Sequence, residues 1–261
     1  MEKDIEIGFL GTGGAVATRE RDNTALAIRY DTDLFLIDCP GAVFQKFKRM
    51  RMDPRRMTSI LVTHVHPDHI YGLPILIHSL MLDEMCIRLY ASEGSIRFCR
   101  DLLDLYQLQS DKIKCRLEFV RVGHGDKFLL APGLECQAMH VPHKAASLAF
   151  FLDFLDRGRT VVYSGDSPLH PPLFKAAAGC DLLIHDCSVP SRLAGQYEFL
   201  PQMHTHALDL GIFAQQARVK RLAPVHFFGE LEYSLEEIEA EICLHYFGEL
   251  IMPRDLQQIM L

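Results

Sequence analysis

From Asp4 to Asp38 the apolar positions come in short, dense runs. "DIEIGFL", "TALAIRY" and "LFLID" each predict a strand, and Asp31-Thr32-Asp33 between the last two supplies a polar hairpin turn. The spacing becomes helical in "GAVFQKFKRM". It tightens again in "TSILVT", an unbroken apolar run of the kind that forms a strand buried on both faces. Helical spacing returns in "IYGLPILIHSLML" and "EGSIRFCRDLLDLYQLQ", on either side of a strand at "CIRLYAS". A second block of strands follows, "CRLEFVRV", "KFLLA", "LECQAMHV", "SLAFFLDF" and "TVVYSG". The remainder alternates helix and strand through "PPLFKAAAG", "DLLIHD", "HALDLGIFAQQARV", "RLAPVH" and "SLEEIEAEICLHYF", the last opened by Ser234 with Glu236 and Glu237 behind it. These are two loosely similar halves with no Gly/Ser/Pro linker between them. The pattern predicts one α/β domain over residues 1–261, built as layered sheets covered by helices.

Composition narrows the class. Hydrophobic residues make up 49% and charged residues 23%, the balance of a folded protein rather than a disordered one. The formal charge is −7, and the densest basic run, Lys46 to Arg56, reads as a solvated helix face and turn, so sequence-independent attraction to nucleic acid should be weak. Acids at the N-terminus argue against a signal peptide. The most apolar window, "LPILIHSLML", is too short to span a bilayer and carries His78, so no membrane partner is expected and the location reads as cytoplasmic. Eight dispersed cysteines without a C-x-x-C suit reduced thiols.

The 13 histidines change the picture more than the totals do. "THVHPDH", Thr63 to His69, places three of them beside an aspartate. Residues two apart on a strand share a face, so His64 and His66 can reach one ion together. Pro67 then turns the chain, and Asp68 and His69 fall at the start of the next helix, where they can project into the same cavity. Mixed nitrogen and oxygen donors of borderline softness suit zinc, with manganese or iron as alternatives.

His64, His66, Asp68 and His69 match the H-x-H-x-D-H signature without departure, and the chain resembles the metallo-β-lactamase superfamily. Further family elements appear in order at predicted strand ends: Asp38 in "LFLIDCPG", His143 in "MHVPHKAASLAF", Asp166 in "VVYSGDS" and His226 in "RLAPVHFFG". The resemblance implies a four-layer αββα sandwich and a dinuclear site. His64, His66 and His143 would hold one divalent ion, Asp68, His69 and His226 the other, Asp166 would bridge both, and Asp38 would orient a ligand from the outer shell. His140, three residues before His143, is the competing histidine of the third motif. Two such ions can activate a shared water and hold a phosphoryl group between them.

Within the superfamily, "FLGTGGAVATRERDNTAL", "DLLIHDCS" and "MHTHALDLGIFAQQARVKRLAPVHF" resemble ribonuclease Z and the cyclic phosphoribose phosphodiesterases. Gly11-Thr12-Gly13-Gly14 lacks the third glycine of a dinucleotide loop and precedes a strand, so it reads as a tight turn instead. By position, His204 would donate the proton to the leaving oxygen and Asp186 would orient it, with Asp68 also placed among the catalytic groups. His206 is the alternative donor, and His185 reads as a packed strand-end histidine.

The departures are informative. His143 and Asp166 are only 23 positions apart, too few for the arm with which ribonuclease Z grips transfer RNA, and "HFFGE" lacks that enzyme's Ser-x-Arg-Tyr continuation. Transfer RNA is therefore not the expected partner. A small-molecule phosphodiester, linear or cyclic, is. The competing functions are a lactonase or other C–O/C–N hydrolase, and a non-hydrolytic accessory resembling the PQQ-biosynthesis member. His66 in place of glutamate argues against an oxygen-reducing di-iron protein. A homodimer is compatible with the sequence.

Overall fold

The structure, a computed structural model, describes residues 5–144 and 146–261. Residues 1–4, which include the two N-terminal acids and the first residue of the predicted opening strand, and Ala145 lie outside the described residues. The chain divides into two compact units, the first formed by residues 1–12, 19–123 and 254–261 and the second by 13–18 and 124–253.

The first unit contains β1 (Ile5–Gly11), β2 (Ala25–Tyr30), β3 (Asp33–Ile37), α1 (Val43–Arg49), β4 (Met57–Leu61), α2 (Pro67–Ile70), α3 (Leu73–Ser79), β5 (Cys86–Ala91), α4 (Glu93–Leu105) and β6 (Arg116–Arg121). Its sheet is completed by the last strand of the chain, Gln258–Met260, in the order last strand, β1, β2, β3, β4, β5, β6. The β2–β3 turn is tighter than the sequence predicts. Tyr30 pairs directly with Asp33, leaving Asp31 and Thr32 as the loop, with Asp31 at φ 58°. The helical stretch after the histidine cluster is two helices rather than one. Pro74, which lacks an amide hydrogen, sits in the first turn of α3, where no intrahelical partner is lost.

The strand block from Cys115 onward also divides. "CRLEFVRV" forms β6 and runs parallel to β5 from Cys86↔Arg116 to Ala91↔Arg121, so it belongs to the first sheet. The second unit holds the rest: β7 (Lys127–Ala131), β8 (Leu134–His140), β9 (Leu148–Phe154), β10 (Arg159–Tyr163), α5 (Pro171–Ala176), β11 (Leu182–Asp186), α6 (Ser191–Ala194), α7 (Leu200–Met203), α8 (Ala207–Gln216), β12 (Arg221–Val225), α9 (Leu235–Cys243) and β13 (Glu249–Leu250). Its sheet runs β13-β12-β11-β10-β9-β8-β7. Gln258–Met260 is β14.

Both sheets have seven strands and one plan, antiparallel strands followed by parallel ones. Parallel strands deliver their carboxyl ends to one edge, where ligand-binding loops collect. In the first unit β3 and β4 bring Asp38 and the histidine cluster to the same edge. In the second, β8 runs with β10 because each is antiparallel to β9, so His143 arrives beside Asp166, with Asp186 and His226 from β11 and β12 next to them.

Apolar packing holds these registers. Phe47, Leu73, Leu76 and Ile77 from the helices of the first unit cover Ile60 and Leu89 of its sheet. In the second, Phe174, Leu210, Ile238 and Ile242 cover Val162 and Leu183. Each such side chain contributes roughly 1.5–3 kcal/mol on burial. All eight cysteines are free thiols. Among the described residues no helix is long and apolar enough to cross a membrane.

Gly211 marks how tightly α8 packs on α9. A Cβ there would lie 2.7 Å from the carbonyl oxygen of Ile242 and 3.0 Å from its Cα. Helix propensity alone favours alanine by about 1 kcal/mol. Moving a backbone against it costs about 1–3 kcal/mol and should win. Gly211→Ala is therefore expected to lower the melting temperature by several degrees, and a raised one would refute this packing.

Candidate metal centre

In the first unit the polar residues are organised by Asp38. It follows β3, adopts φ 61°, and is fully buried. Its carboxylate accepts the Thr63 amide at 2.8 Å, the Thr63 hydroxyl at 2.9 Å and the Nδ1–H of His69 at 2.9 Å. Burial pushes its pKa up, opposed by the charge and hydrogen bond of His69 and by the donors of Thr63. A carboxylate can only accept, so His69 carries its proton on Nδ1 and offers Nε2 as a lone pair. Thr63 has a single hydroxyl proton. With that proton on Asp38, its oxygen accepts from Nδ1–H of His64 at 3.0 Å, and His64 likewise offers Nε2.

These lone pairs meet further candidate ligand atoms. His64 Nε2 is 3.0 Å from Nδ1 of His66, the N-cap of α2, and His69 Nε2 is 3.4 Å from the Asp68 carboxylate in the first turn of that helix. The His69 lone pair facing the Asp68 carboxylate fits a divalent cation, which turns repulsion into ligand bonds, and the His64 and His66 ring nitrogens offer further donors of the same kind. The donor set suits zinc, and manganese or iron remain compatible with it.

The second unit presents a matching group. His143 is buried, and its Nδ1–H donates to the Met203 carbonyl at 2.8 Å, which directs Nε2 toward Asp166 Oδ2 at 3.7 Å. Burial lowers the His143 pKa, with Asp166 opposing, which keeps the imidazole in the neutral form that a ligand needs. His140 is exposed and its amide hydrogen bonds to His124 Nδ1 at 3.3 Å, so His143 is the buried member of the pair. Asp166 lies beyond β10, and its Oδ2 is 3.3 Å from Nε2 of His226. His226 follows β12 with φ 66°, a left-handed conformation that costs about 1–3 kcal/mol and is concentrated at functional sites.

Asp186 closes β11 and accepts the Ser167 amide at 3.0 Å and Nδ1–H of His204 at 2.7 Å on the same oxygen. The His204 ring stacks on His226 with centroids 5.0 Å apart and planes 15° apart. Donor atoms of Asp186, His204 and His226 lie within 4.8 Å of one another. His206, the alternative donor, is the N-cap of α8: its Nδ1 accepts the Asp209 amide at 3.4 Å and its Nε2 pairs with the Asp209 carboxylate at 3.1 Å. His185 points into the core, stacks on Phe174 and donates Nδ1–H to the Asp186 carbonyl at 2.8 Å. Sequence reasoning missed Thr63, the Met203 carbonyl and the Ser167 amide. Only Thr63 left a trace, as the residue that opens the histidine cluster.

Residues 5–220 match the family described as Anti-Pycsar protein Apyc1. The chain belongs to that family. A ribonuclease Z of Methanosarcina acetivorans is 26% identical to this Apyc1-family chain over 305 residues, covering 98% of this chain and 97% of that protein. The metallo-β-lactamase fold protein YhfI of Bacillus subtilis superposes with a TM-score of 0.82 at 16% identity, over 98% of this chain and 99% of the other. A diphosphatase of the PhnP family superposes with a TM-score of 0.74 at 18% identity, over 98% and 97%. The expected metallo-β-lactamase fold is thereby established. The Apyc1-family chain is a metal-dependent hydrolase of the ribonuclease Z-like branch.

Two outcomes follow from this geometry. Asp38→Asn weakens the acceptor that orients His69 and, through Thr63, His64. It should lower zinc affinity about 10- to 100-fold in a chelator competition, and unchanged affinity would refute the orienting role. His185 is lowered by burial from 6.5 to about 4. Between those values the unfolded chain binds a proton that the folded chain does not, so stability falls as pH drops through this window. His185→Phe should flatten that part of a stability-versus-pH curve, and identical slopes in both proteins would refute the assignment.

Proposed function

We propose that this chain hydrolyses a small phosphodiester, linear or cyclic, with the help of two divalent cations. By family position, His64, His66 and His143 would hold one cation, Asp68, His69 and His226 the other, and Asp166 both. The cations would supply an activated water and positive charge for the phosphoryl oxygens.

The observation that carries the reading is the 2.7 Å bond between His204 and Asp186. With Nδ1–H committed to the carboxylate, the proton that moves is on Nε2, and its delivery to a departing alkoxide is the step a phosphodiester of poor leaving group needs most. Asp68 would help to orient the attacking water. Supporting a small substrate, the described residues between His143 and Asp166 are largely taken up by β9, β10 and their turn, with no inserted arm among them. The net charge of −7 does not oppose an anionic substrate, because the cations set the local field.

His204→Ala is expected to reduce turnover of an alkyl or cyclic diester by about 10²–10⁴-fold, and to spare bis(p-nitrophenyl) phosphate, whose leaving group needs no proton. Equal losses on both would sink the donor role. Turnover of lactones with none of either diester would overturn the phosphate reading and favour the lactonase alternative.

A further inference from the structure

Gly13 and Gly14, in the turn after β1, have no task in the hydrolytic reading, yet the structure gives them a definite partner. Gly13 forms a parallel bridge with Phe227, and the Gly14 amide donates to the Phe227 carbonyl at 2.8 Å. A Cβ on Gly14 would stand 2.6 Å from Cδ1 and 3.0 Å from Cε1 of Phe228, a separation that real Cβ atoms do not tolerate. Gly14 is not in the left-handed region. Space for the Phe228 ring, rather than backbone strain, is what requires a glycine there.

Phe228 in turn lies against the site. Its ring is 5.0 Å from that of His204 at 70°, and 5.6 Å from that of His226 at 61°. Its own seat is firm: the amide donates to the Ser188 carbonyl at 3.0 Å, and the side chain is buried with Val189, Leu193 and Leu200. The Nδ1–H of His204 is held by Asp186 at 2.7 Å, a pivot that fixes the ring at one nitrogen but does not by itself fix its tilt. His226 on one face and the edge of Phe228 limit that tilt. The position of His204 Nε2 therefore depends on a ring whose own position depends on the missing side chain of Gly14.

We propose that Gly14 and Phe228 form a positioning device that holds His204 in the orientation for proton donation. The device rests on the reading of His204 as the donor, but it can be measured apart from it. The proteins to compare, all metal-loaded, are the parent, Gly14→Ala, Phe228→Leu, the double variant and His204→Ala. The Nδ1–H proton resonance of His204, assigned by its loss in His204→Ala, is expected to shift or broaden in Gly14→Ala and in Phe228→Leu.

In kinetics, Gly14→Ala should lower kcat on the alkyl or cyclic diester about 10- to 100-fold, with little change in KM or in turnover of bis(p-nitrophenyl) phosphate. Leucine gives way to the added Cβ, so the double variant should match Phe228→Leu rather than show summed losses. An unmoved resonance, additive losses or equal losses on both substrates would overturn the device. If Gly14→Ala fails to fold, the resonance and substrate selectivity of Phe228→Leu decide in the same way. Moved resonances together with a His204→Ala variant that lacks leaving-group dependence would instead leave the device standing and remove the donor role.

Discussion

An imidazole can present a lone pair or a proton in a defined direction only when its other nitrogen is held. That constraint organises both units. His69 is held by Asp38, His64 by the hydroxyl of Thr63, His143 by the Met203 carbonyl and His204 by Asp186. The two carboxylate holders are buried and must themselves be satisfied, since a buried carboxylate without donors is costly. Asp38 and Asp186 meet this need with backbone amides of nearby loops, Thr63 and Ser167. The chemistry thus rests on strand ends that arrive in the correct register. Ile37 pairs with Leu61, which brings Asp38 and Thr63 together one and two residues beyond. A slip of one residue would turn every side chain of β4 to the opposite face and separate them.

The apolar cores enforce that register, and the strain at the rim shows how firmly. Asp38 and His226 both sit at positive φ, each costing about 1–3 kcal/mol. Several well-packed apolar side chains beneath each loop are enough to offset this. The repeated plan of the sheets, antiparallel strands followed by parallel ones, explains why each unit collects its polar groups at one edge. The sequence shows two loosely similar halves for the same reason.

How much of this could be read beforehand depended on the range of the interaction. "THVHPDH" is local: a strand end, a proline turn and a helix start place four groups with no help from distant chain. The strand-end positions of Asp166 and His226 are legible because each follows an apolar run typical of a buried strand. β6 was grouped with the second block because its alternation says nothing about which strand it will pair with, and pairing put it beside β5. The four-residue helices α6 and α7 were missed, as was the short strand β14, since so few residues show no period and their order comes from what they pack on. Phe228 reads in sequence as an ordinary aromatic after a ligand. Its contact with His204 exists only once β12 and α7 are placed.

The helix α7 shows what such short elements can control. Met203, its last residue, offers the carbonyl that fixes the tautomer of His143, and His204 is the next residue. One backbone segment therefore sets a candidate ligand and the candidate proton donor together. Leu200 anchors it in the cluster with Val189, Leu193 and Phe228. A change at Leu200 itself should move both imidazoles at once, because four residues of helix are too short to bend between them. Metal retention and proton delivery would then vary together through packing that touches neither the ions nor the substrate.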